Sequence, residues 1–291
     1  MLASLFAVLA PVFIVAGIGF IWARKGHAYP TDFIASLVMT VGTPSLVLST
    51  LHRTRLDSAA FTSMALACVL CMVAMAAVGY AVSRAFRQHW RVLMPAFMFP
   101  NTGNMGLPVA LYAFGEQGLA LAVAFFLTLS SFHFTLGIAL SGGVASFRAL
   151  LKNPIVISLA LALPVIFFDL ELPRWLGNTV DLLGGMTIPL MLLTLGVSLA
   201  SIRPQHIGSG MLIGALRIVI GAGVGWGIGA LLDLDHLAHA VLVMQSAMPV
   251  AVFNYLLAVR ANRAPEQVAN VVMCSTVLSF VWLPVVLAGW M

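Results

Sequence analysis

The segment FMFPNTGNMGLPVALY at residues 97–112 combines hydrogen-bond donors with residues that interrupt helices. Proline lacks a backbone N–H and glycine adopts many backbone conformations, so a helix is expected to break here. A helix that restarts after the break presents free backbone N–H groups, which attract anions. The side chains of Asn101, Thr102 and Asn104 would add further donors beside those groups. The interrupting residues are Pro100, Gly103, Gly106 and Pro108.

The segment SAMPVAVFNYLL at residues 246–257 has the same character. Pro249 interrupts it, and Asn254 follows the interruption. Because neutral amides and hydroxyls can hold a carboxylate and still release it, the two segments together predict one site for a small organic anion. The predicted binding residues are Asn101, Thr102, Gly103, Asn104, Gly106, Gln245, Ser246 and Asn254, with helix breaks at Pro100, Pro108 and Pro249. The alternative is that the asparagines only cap backbone groups that the breaks expose.

Two titratable side chains lie inside apolar segments. His133, in SSFHFTL, could carry a coupled proton because imidazole titrates near pH 6.5, although packed and hydrogen-bonded histidines are more common. Arg217 also lies inside an apolar stretch, and its long side chain is expected to reach back to the aqueous edge. The alternative for Arg217 is a counter-charge for an anionic substrate, or for a carboxylate such as Asp181 or Glu266.

The elements that must position these residues are membrane helices. Hydrophobic residues make up 62% of the 291-residue chain and charged residues 8%, whereas a soluble domain carries about 25% charged residues. Apolar stretches of about 17–25 residues, long enough to cross a bilayer, recur along the sequence. The composition therefore predicts an all-α integral membrane protein. The net charge of +5 does not indicate nucleic acid, because the basic residues lie in short gaps between apolar stretches.

The apolar stretches divide the chain into ten predicted spans. They are residues 2–22, 33–51, 60–82, 92–114, 119–140, 154–169, 178–200, 210–232, 236–259 and 266–290. Ten Lys and Arg residues fall in the odd-numbered loops and three in the even-numbered loops. Because basic residues accumulate in cytoplasmic loops, both termini are predicted to lie outside, in the periplasm if the membrane is a bacterial inner (plasma) membrane.

The two halves of the sequence repeat the same landmarks in the same order. Pro44, Pro100, Glu116 and Phe132 in the first half correspond to Pro189, Pro249, Glu266 and Phe280 in the second half. The separations fall between 145 and 150 residues, which predicts two repeats at 1–145 and 146–291. Repeats with five spans each insert in opposite orientations, as in many secondary transporters. Interrupted helices at matching positions, here the fourth and ninth spans, are typical of their binding sites.

The stretch NTGNMGLP at 101–108, following a proline, resembles the auxin efflux carrier family over the whole chain. That family includes plant auxin exporters and bacterial permeases for malonate, malate and similar acids. The resemblance implies a crossed-helix fold like that of the NhaA antiporters, and it implies binding determinants at Asn101 and Asn104. Residues 249–254 depart from the family pattern because they contain no glycine. The short loop between the fifth and sixth spans favours the short bacterial type.

The predicted function is therefore a secondary carrier of a small organic anion, and the alternative is a channel or a membrane sensor. No His-Glu-x-x-His or Gly-x-Ser-x-Gly motif indicates an enzyme. The run GAGVGWGIGA at 221–230 follows no strand, so it predicts close helix packing instead of a nucleotide loop. No cofactor is expected, and energy would come from a proton gradient or the membrane potential. The expected partners are the anion, membrane lipid and a second copy in a homodimer.

Transport is expected to proceed by alternating access. The first, second, sixth and seventh spans lack both intramembrane charge and a paired Gly/Asn break, and they are predicted to form a scaffold. The remaining spans, which include both interrupted helices, would move against that scaffold as one unit. Pro44 and Pro189 are expected to kink the scaffold symmetrically.

Overall fold

The computed structural model of the protein describes residues 2–140, 152–168, 170–202 and 207–290. Within these ranges the chain forms α-helices, π-helical turns and connecting segments, and it forms no β-strand. The predicted repeat boundary at 145/146 and two of the basic loop residues, Arg148 and Arg203, lie outside the described residues.

The first half of the chain contains seven α-helical segments and three π-helical turns among its described residues. The α-helices are α1 (Leu2–Arg24), α2 (Thr31–Leu37), α3 (Thr43–Thr54), α4 (Ser58–Ala85), α5 (Trp90–Met98), α6 (Leu107–Phe132) and α7 (Ile138–Leu140). The π-helical turns are Val38–Gly42, Thr102–Gly106 and His133–Gly137. Each π-helical turn runs directly into the α-helix that follows it.

Among the described residues of the second half, all helical segments are α-helices. The helices are α8 (Pro154–Phe167), α9 (Arg174–Gly185), α10 (Thr187–Ser201), α11 (Ile207–Leu231), α12 (His236–Ser246), α13 (Val252–Arg260) and α14 (Pro265–Ala288).

Seven helical stretches of the described chain are long and apolar enough to cross a membrane. They are Leu5–Arg24, Thr31–Thr54, Ser58–Ala85, Thr102–Leu140, Arg174–Ser201, Ile207–Leu231 and Pro265–Ala288. The longest, Thr102–Leu140, changes direction at Gly115, whose φ of 67° and ψ of −163° are not helical. A positive φ is available to glycine without a steric penalty, so this residue permits the turn. Helix α8 is apolar but shorter.

Side chains in the connecting segments cap the N-termini of several of these helices. Asp57, Asn153 and Asp235 accept hydrogen bonds from the backbone N–H groups of Ala59, Ile155 and Ala238, at 3.2, 2.9 and 2.9 Å. Such N-caps each contribute about 1 kcal/mol by satisfying donors that the first helical turn leaves free. The polar loop residues thus fix where α4, α8 and α12 start.

Small residues bring the long helices close together. A Cβ atom at Gly196 of α10 would collide with the backbone of α1 at Ala16, and one at Gly214 of α11 would collide with α14 at Ser275. Gly221, Gly225 and Gly229 of the glycine-rich run contact α12 in the same way. Close packing of this run was predicted from the sequence, and the prediction is confirmed. Backbones that approach this closely gain dispersion contacts, which drive helix association in lipid.

Candidate functional site

Two interruptions from opposite halves of the chain lie side by side. Helix α5 ends at Met98 and the next helical turn begins at Thr102, whereas α12 ends at Ser246 and α13 begins at Val252. Pro100 and Val250 pair as an isolated antiparallel bridge. The N–H of Asn101 donates to Pro249 O at 2.7 Å, and the N–H of Ala251 donates to Phe99 O at 3.3 Å. We call this pairing of residues 99–101 with 249–251 the bridge.

The bridge satisfies backbone groups that the interrupted helices cannot satisfy themselves. Pro100 and Pro249 have no N–H to continue a helical ladder, so neighbouring donors and carbonyls are left over. In an apolar interior each unpaired group would cost several kcal/mol. Mutual pairing removes much of this cost, and it holds the two interruptions in contact. A proline in each segment is therefore the local cause of the arrangement.

Pro108 does not interrupt a helix, contrary to the expectation from the sequence. It is the second residue of α6, which continues directly from the π-helical turn Thr102–Gly106, so the helical run passes through Pro108 without a break. Gly103 and Gly106 likewise belong to the π-helical turn Thr102–Gly106. That turn opens with a hydrogen bond from the N–H of Gly106 to Asn101 O at 3.1 Å. Single π-helical turns inside α-helices often occur at functional sites.

The amide side chains beside the bridge are buried and incompletely bonded. Asn101 is 5% exposed, and its Nδ2 atom has no hydrogen-bond partner in the described part of the protein. Gln245 is fully buried, and neither Oε1 nor Nε2 has a partner there. Its amide lies against Gly106, where a Cβ atom would collide with it. Leaving such groups unpaired costs about 1–3 kcal/mol each, so they suit a site whose ligand supplies polar atoms.

Thr102 and Asn104 lie on the π-helical turn beside these amides. Thr102 is buried, whereas Asn104 and Gly103 are partly exposed. The side chain of Asn104 makes no hydrogen bond to the described residues. The turn therefore offers one buried and one accessible polar side chain.

Asn254 connects the bridge to His133. Its Nδ2 donates to Phe99 O at 2.9 Å, and its Oδ1 lies 3.1 Å from His133 Nε2. Because the amide nitrogen faces Phe99, the oxygen faces the imidazole, and Nε2 must be the protonated ring nitrogen. The His133 ring stacks on Phe99 with a centroid distance of 4.1 Å and an angle of 5°, and Phe253 meets it edge-on. His133 is thus packed and hydrogen-bonded against the bridge.

Arg217 does not reach the aqueous edge, so that expectation was wrong. Arg217 is 1% exposed, and its Nη1 donates to Ser246 O at 2.7 Å. Ser246 is the last residue of α12, and carbonyl groups at a helix C-terminus carry a partial negative charge. That carbonyl attracts the guanidinium inward. Among the described residues, Arg217 forms no ion pair with Asp181 or Glu266; Asp181 lies beside Arg53 and Ser49 instead.

The structure brings most of the predicted binding residues together at the bridge, but the side chain of Ser246 points elsewhere. Those that surround the bridge are Asn101, Thr102, Gly106, Gln245, Asn254 and His133. The hydroxyl of Ser246 instead donates to Cys71 Sγ at 3.4 Å, away from the amides. The carbonyl of Phe99 and the thiol of Cys71 were missed, because nothing in their own sequence context indicates a polar contact.

A second close approach joins the two halves at Gly42 and Thr187. A Cβ atom at Gly42 would come within 2.7 Å of Thr187 Oγ1. These residues each lie two positions before a repeated proline, Pro44 and Pro189. The signal that could have found this contact is the repeat itself, which places both residues at matching positions.

Comparison with known proteins identifies similar chains. A family model described as "Membrane transport protein" matches residues 4–145 and 143–287. The chain is 30% identical over 264 residues to an uncharacterized transporter of Methanothermobacter thermautotrophicus, covering 85% of each chain. It is 27% identical over 208 residues to the uncharacterized transporter MJ1031 of Methanocaldococcus jannaschii, covering 66% of this chain and 65% of that protein. Both segments of the bridge lie inside the matched ranges.

Proposed function

The chain belongs to the auxin efflux carrier family of membrane transport proteins, and from this premise we propose that it is a secondary carrier of a small organic anion. The substrate is a carboxylate such as malonate or malate, or an auxin-like acid, bound at the bridge. The observation that carries this proposal is the pair of buried amides, Asn101 and Gln245, whose polar atoms lack protein partners beside the interrupted helices. Neutral donors bind an anion without holding it as tightly as a fixed positive charge would.

The proposed architecture has ten spans in two inverted repeats, 1–145 and 146–291. Segments α5 and α12 are then the first halves of the fourth and ninth spans, and these two spans cross at the bridge. The turn at Gly115 separates the fourth span from the fifth. The contacts between Pro100 and Val250 and between Gly42 and Thr187 support this arrangement, because both join nearly matching positions of the two repeats.

The proposed location is a bacterial inner (plasma) membrane with both termini outside. A reporter that is active only in the cytoplasm, fused after residue 291, should give no signal. Strong signal would contradict the ten-span arrangement. A homodimer is proposed as the assembly, and light scattering of the purified protein in detergent tests it.

Energy for transport is proposed to come from a proton gradient or the membrane potential. Moving one charge through 100 mV is worth about 2.3 kcal/mol, which suffices to concentrate an anion many-fold. His133 is the proposed proton carrier, because its imidazole bonds directly to Asn254 at the bridge.

Counterflow in proteoliposomes tests the carrier proposal. Vesicles loaded with one carboxylate should take up the same labelled carboxylate from outside, in a panel that includes malonate, malate and an auxin. A channel would equilibrate the label without exchange, so absence of counterflow with rapid leakage would favour a channel. Absence of any carboxylate flux would contradict the proposed substrate class.

Three variants test the proposed site. Asn101→Ala, Asn104→Ala and Gln245→Ala should each lower counterflow about tenfold or more, because each removes a hydrogen bond to an ionised ligand. Asn178→Ala is the matched control, since Asn178 is an exposed amide on α9. Each variant must insert and purify as a single monodisperse species. Normal counterflow in the first three variants would show that these side chains do not bind the substrate and only hydrogen-bond to exposed backbone groups.

A further inference from the structure

Two arginines from different halves of the chain line one cavity beside the bridge. Arg91 in α5 and Arg263, between α13 and α14, lie on its wall together with Asn254. Val92, Pro95 and Ala258 supply apolar surface. The cavity is an open cleft: about 250 Å³ of empty space lies between and in front of its walls, open solvent included, and its enclosed part holds about one water molecule. A ligand larger than water therefore binds at the open mouth of this cleft. None of the described residues that line it is acidic.

The charges of both arginines are available to a ligand. Neither guanidinium forms an ion pair within the described part of the chain, where the ion pairs involve Arg53 and Arg55. Arg91 Nε is buried without a hydrogen-bond partner there, and its guanidinium lies 5.0 Å from the ring centre of Trp90. Arg263 Nη1 donates to Leu140 O at 3.3 Å, and a guanidinium carries further N–H groups that can donate to a ligand.

Two positive charges that share a partly buried cavity repel each other, and a bound anion relieves that repulsion. Guanidinium groups bind carboxylates through paired, charge-assisted hydrogen bonds, and apolar walls strengthen such contacts by excluding water. A ligand with two carboxylates could satisfy both arginines at once. The site therefore favours a small dianion over a monoanion of similar size.

The cavity is also connected to the bridge. Asn254 lines the cavity and at the same time bonds to Phe99 O and His133. Both arginines belong to loops predicted to be cytoplasmic. We propose that Arg91 and Arg263 form a second carboxylate site, distinct from the bridge, which receives the anion on its way between the cytoplasmic face and the bridge. Only the statement that the anion passes between this site and the bridge rests on the proposed function; the carboxylate site itself does not.

Arginine modification tests the site on the purified full-length protein. In neutral detergent, phenylglyoxal should modify Arg91 and Arg263 several-fold more slowly in malonate than in buffer at equal ionic strength, and propionate should protect less. Mass spectrometry measures each position separately. Arg260 is the control, because it is exposed at the end of α13, three residues before Arg263, and does not line the cavity. Equal modification rates at Arg91 and Arg263 with malonate, propionate and buffer would overturn the proposal.

Variants separate this site from the bridge. Arg91→Gln and Arg263→Gln should each weaken malonate binding about tenfold and lower the malonate-to-propionate preference, whereas Arg260→Gln should change neither. Asn101→Ala should reduce counterflow and still show malonate protection at both arginines. An unchanged preference in both arginine variants would overturn the proposal. If one variant does not fold, the other decides.

The anion could also be a lipid headgroup, and a second arm distinguishes this source. Nanodiscs of phosphatidylcholine are compared with nanodiscs that contain phosphatidylglycerol. Protection by phosphatidylglycerol without protection by malonate would overturn the carboxylate site. If carboxylates are exchanged while neither arginine is protected, this inference alone fails. If the arginines are protected while no carboxylate is exchanged, the proposed transport function fails instead.

Discussion

The guanidinium of Arg217 joins two helices through one carbonyl oxygen. It donates to Ser246 O at 2.7 Å, at the end of the helix that precedes the second interruption. Replacing Arg217 by Met leaves that carbonyl unpaired in an apolar setting, at a cost of about 1–3 kcal/mol. We therefore expect Arg217→Met to lower the melting temperature of the detergent-purified protein by several degrees. Arg260→Met, at an exposed position, should leave it unchanged, and equal melting temperatures for both would contradict the assignment.

The imidazole of His133 donates to Asn254 Oδ1 at the bridge, and it is also the proposed proton carrier. Glutamine at this position can still donate to Asn254 Oδ1, but an amide does not titrate between pH 5 and 8. His133→Gln is expected to retain substrate binding and to lose the pH dependence of uptake. The measurement is initial uptake across that pH range, with binding measured in parallel. A pH profile like that of the unmodified protein would leave His133 as a packing residue that positions Asn254.

At the residue scale, the sequence indicated residue types well and side-chain contacts poorly. Asn101, Gln245 and Asn254 were singled out because they flank helix-breaking prolines, a local property. The contact of Gln245 with Gly106 was not visible, because it joins residues far apart in the chain. The placement of Arg217 was wrong for the same reason. Its own helix suggested a path to the aqueous edge, whereas the carbonyl that holds it belongs to another helix.

At the element scale, apolar length predicted where long helices lie, but local details depended on packing. The π-helical turns of the first half carry no distinct composition: all three contain glycine and a polar residue, and so do ordinary helical stretches nearby. Pro108 was predicted as a break because proline lacks a donor. The structure places it at the second residue of α6, inside a helical run that continues unbroken from Thr102. Residue type therefore indicated where a helix could break, but whether it breaks depended on where the proline lies in the helix.

Two ion pairs near the ends of helices offer a matched test of relative motion. Arg53 of α3 pairs with Glu116, just after the Gly115 turn, at 3.0 Å. Arg55 pairs with Glu171, which precedes α9, at 2.7 Å. In the proposed division the first pair links the scaffold to the moving unit, and the second lies within the scaffold. Both pairs are substantially exposed, so each is worth at most about 1 kcal/mol.

A shift of up to about 1 kcal/mol changes a two-state equilibrium about fivefold. We therefore expect Glu116→Gln to change the counterflow rate two- to fivefold, because it releases the moving unit in one of its positions. Glu171→Gln removes a similar charge and should change the rate little. Rates measured in parallel on proteoliposomes decide between them. Equal effects of the two variants would show that the Arg53–Glu116 pair has no special role in motion.

At the scale of the whole molecule, the repeat was the strongest source of long-range information. Its offset makes Pro100 correspond to Pro249 and Gly42 correspond to Thr187. The two halves touch at or beside these positions in the structure. In the proposed inverted repeats such contacts are expected, since equivalent residues close to a two-fold axis approach each other. The packing of unrelated positions, such as Phe13 of α1 against Phe280 of α14, does not follow from the repeat and could not be predicted.

That last contact provides a test of alternating access. Phe13 lies in the proposed scaffold and Phe280 in the proposed moving unit, with ring centroids 4.1 Å apart. In a background without Cys68, Cys71 and Cys274, cysteines replace both phenylalanines and are joined by a bifunctional methanethiosulfonate reagent. If the units move as rigid bodies against each other, linkage should stop counterflow and a reducing agent should restore it.

The control joins two positions within the scaffold. Tyr29 Oη lies 2.7 Å from Thr194 Oγ1, so cysteines at these positions accept the same reagent without linking the two units. Linkage there should leave counterflow near that of the unlinked protein. Mass spectrometry verifies that each link has formed. Full counterflow with Phe13→Cys and Phe280→Cys linked would contradict a rigid-body shift, because a fixed scaffold and moving unit cannot expose the bridge to each side in turn. Transport would then require a continuous path past the bridge, as in a channel.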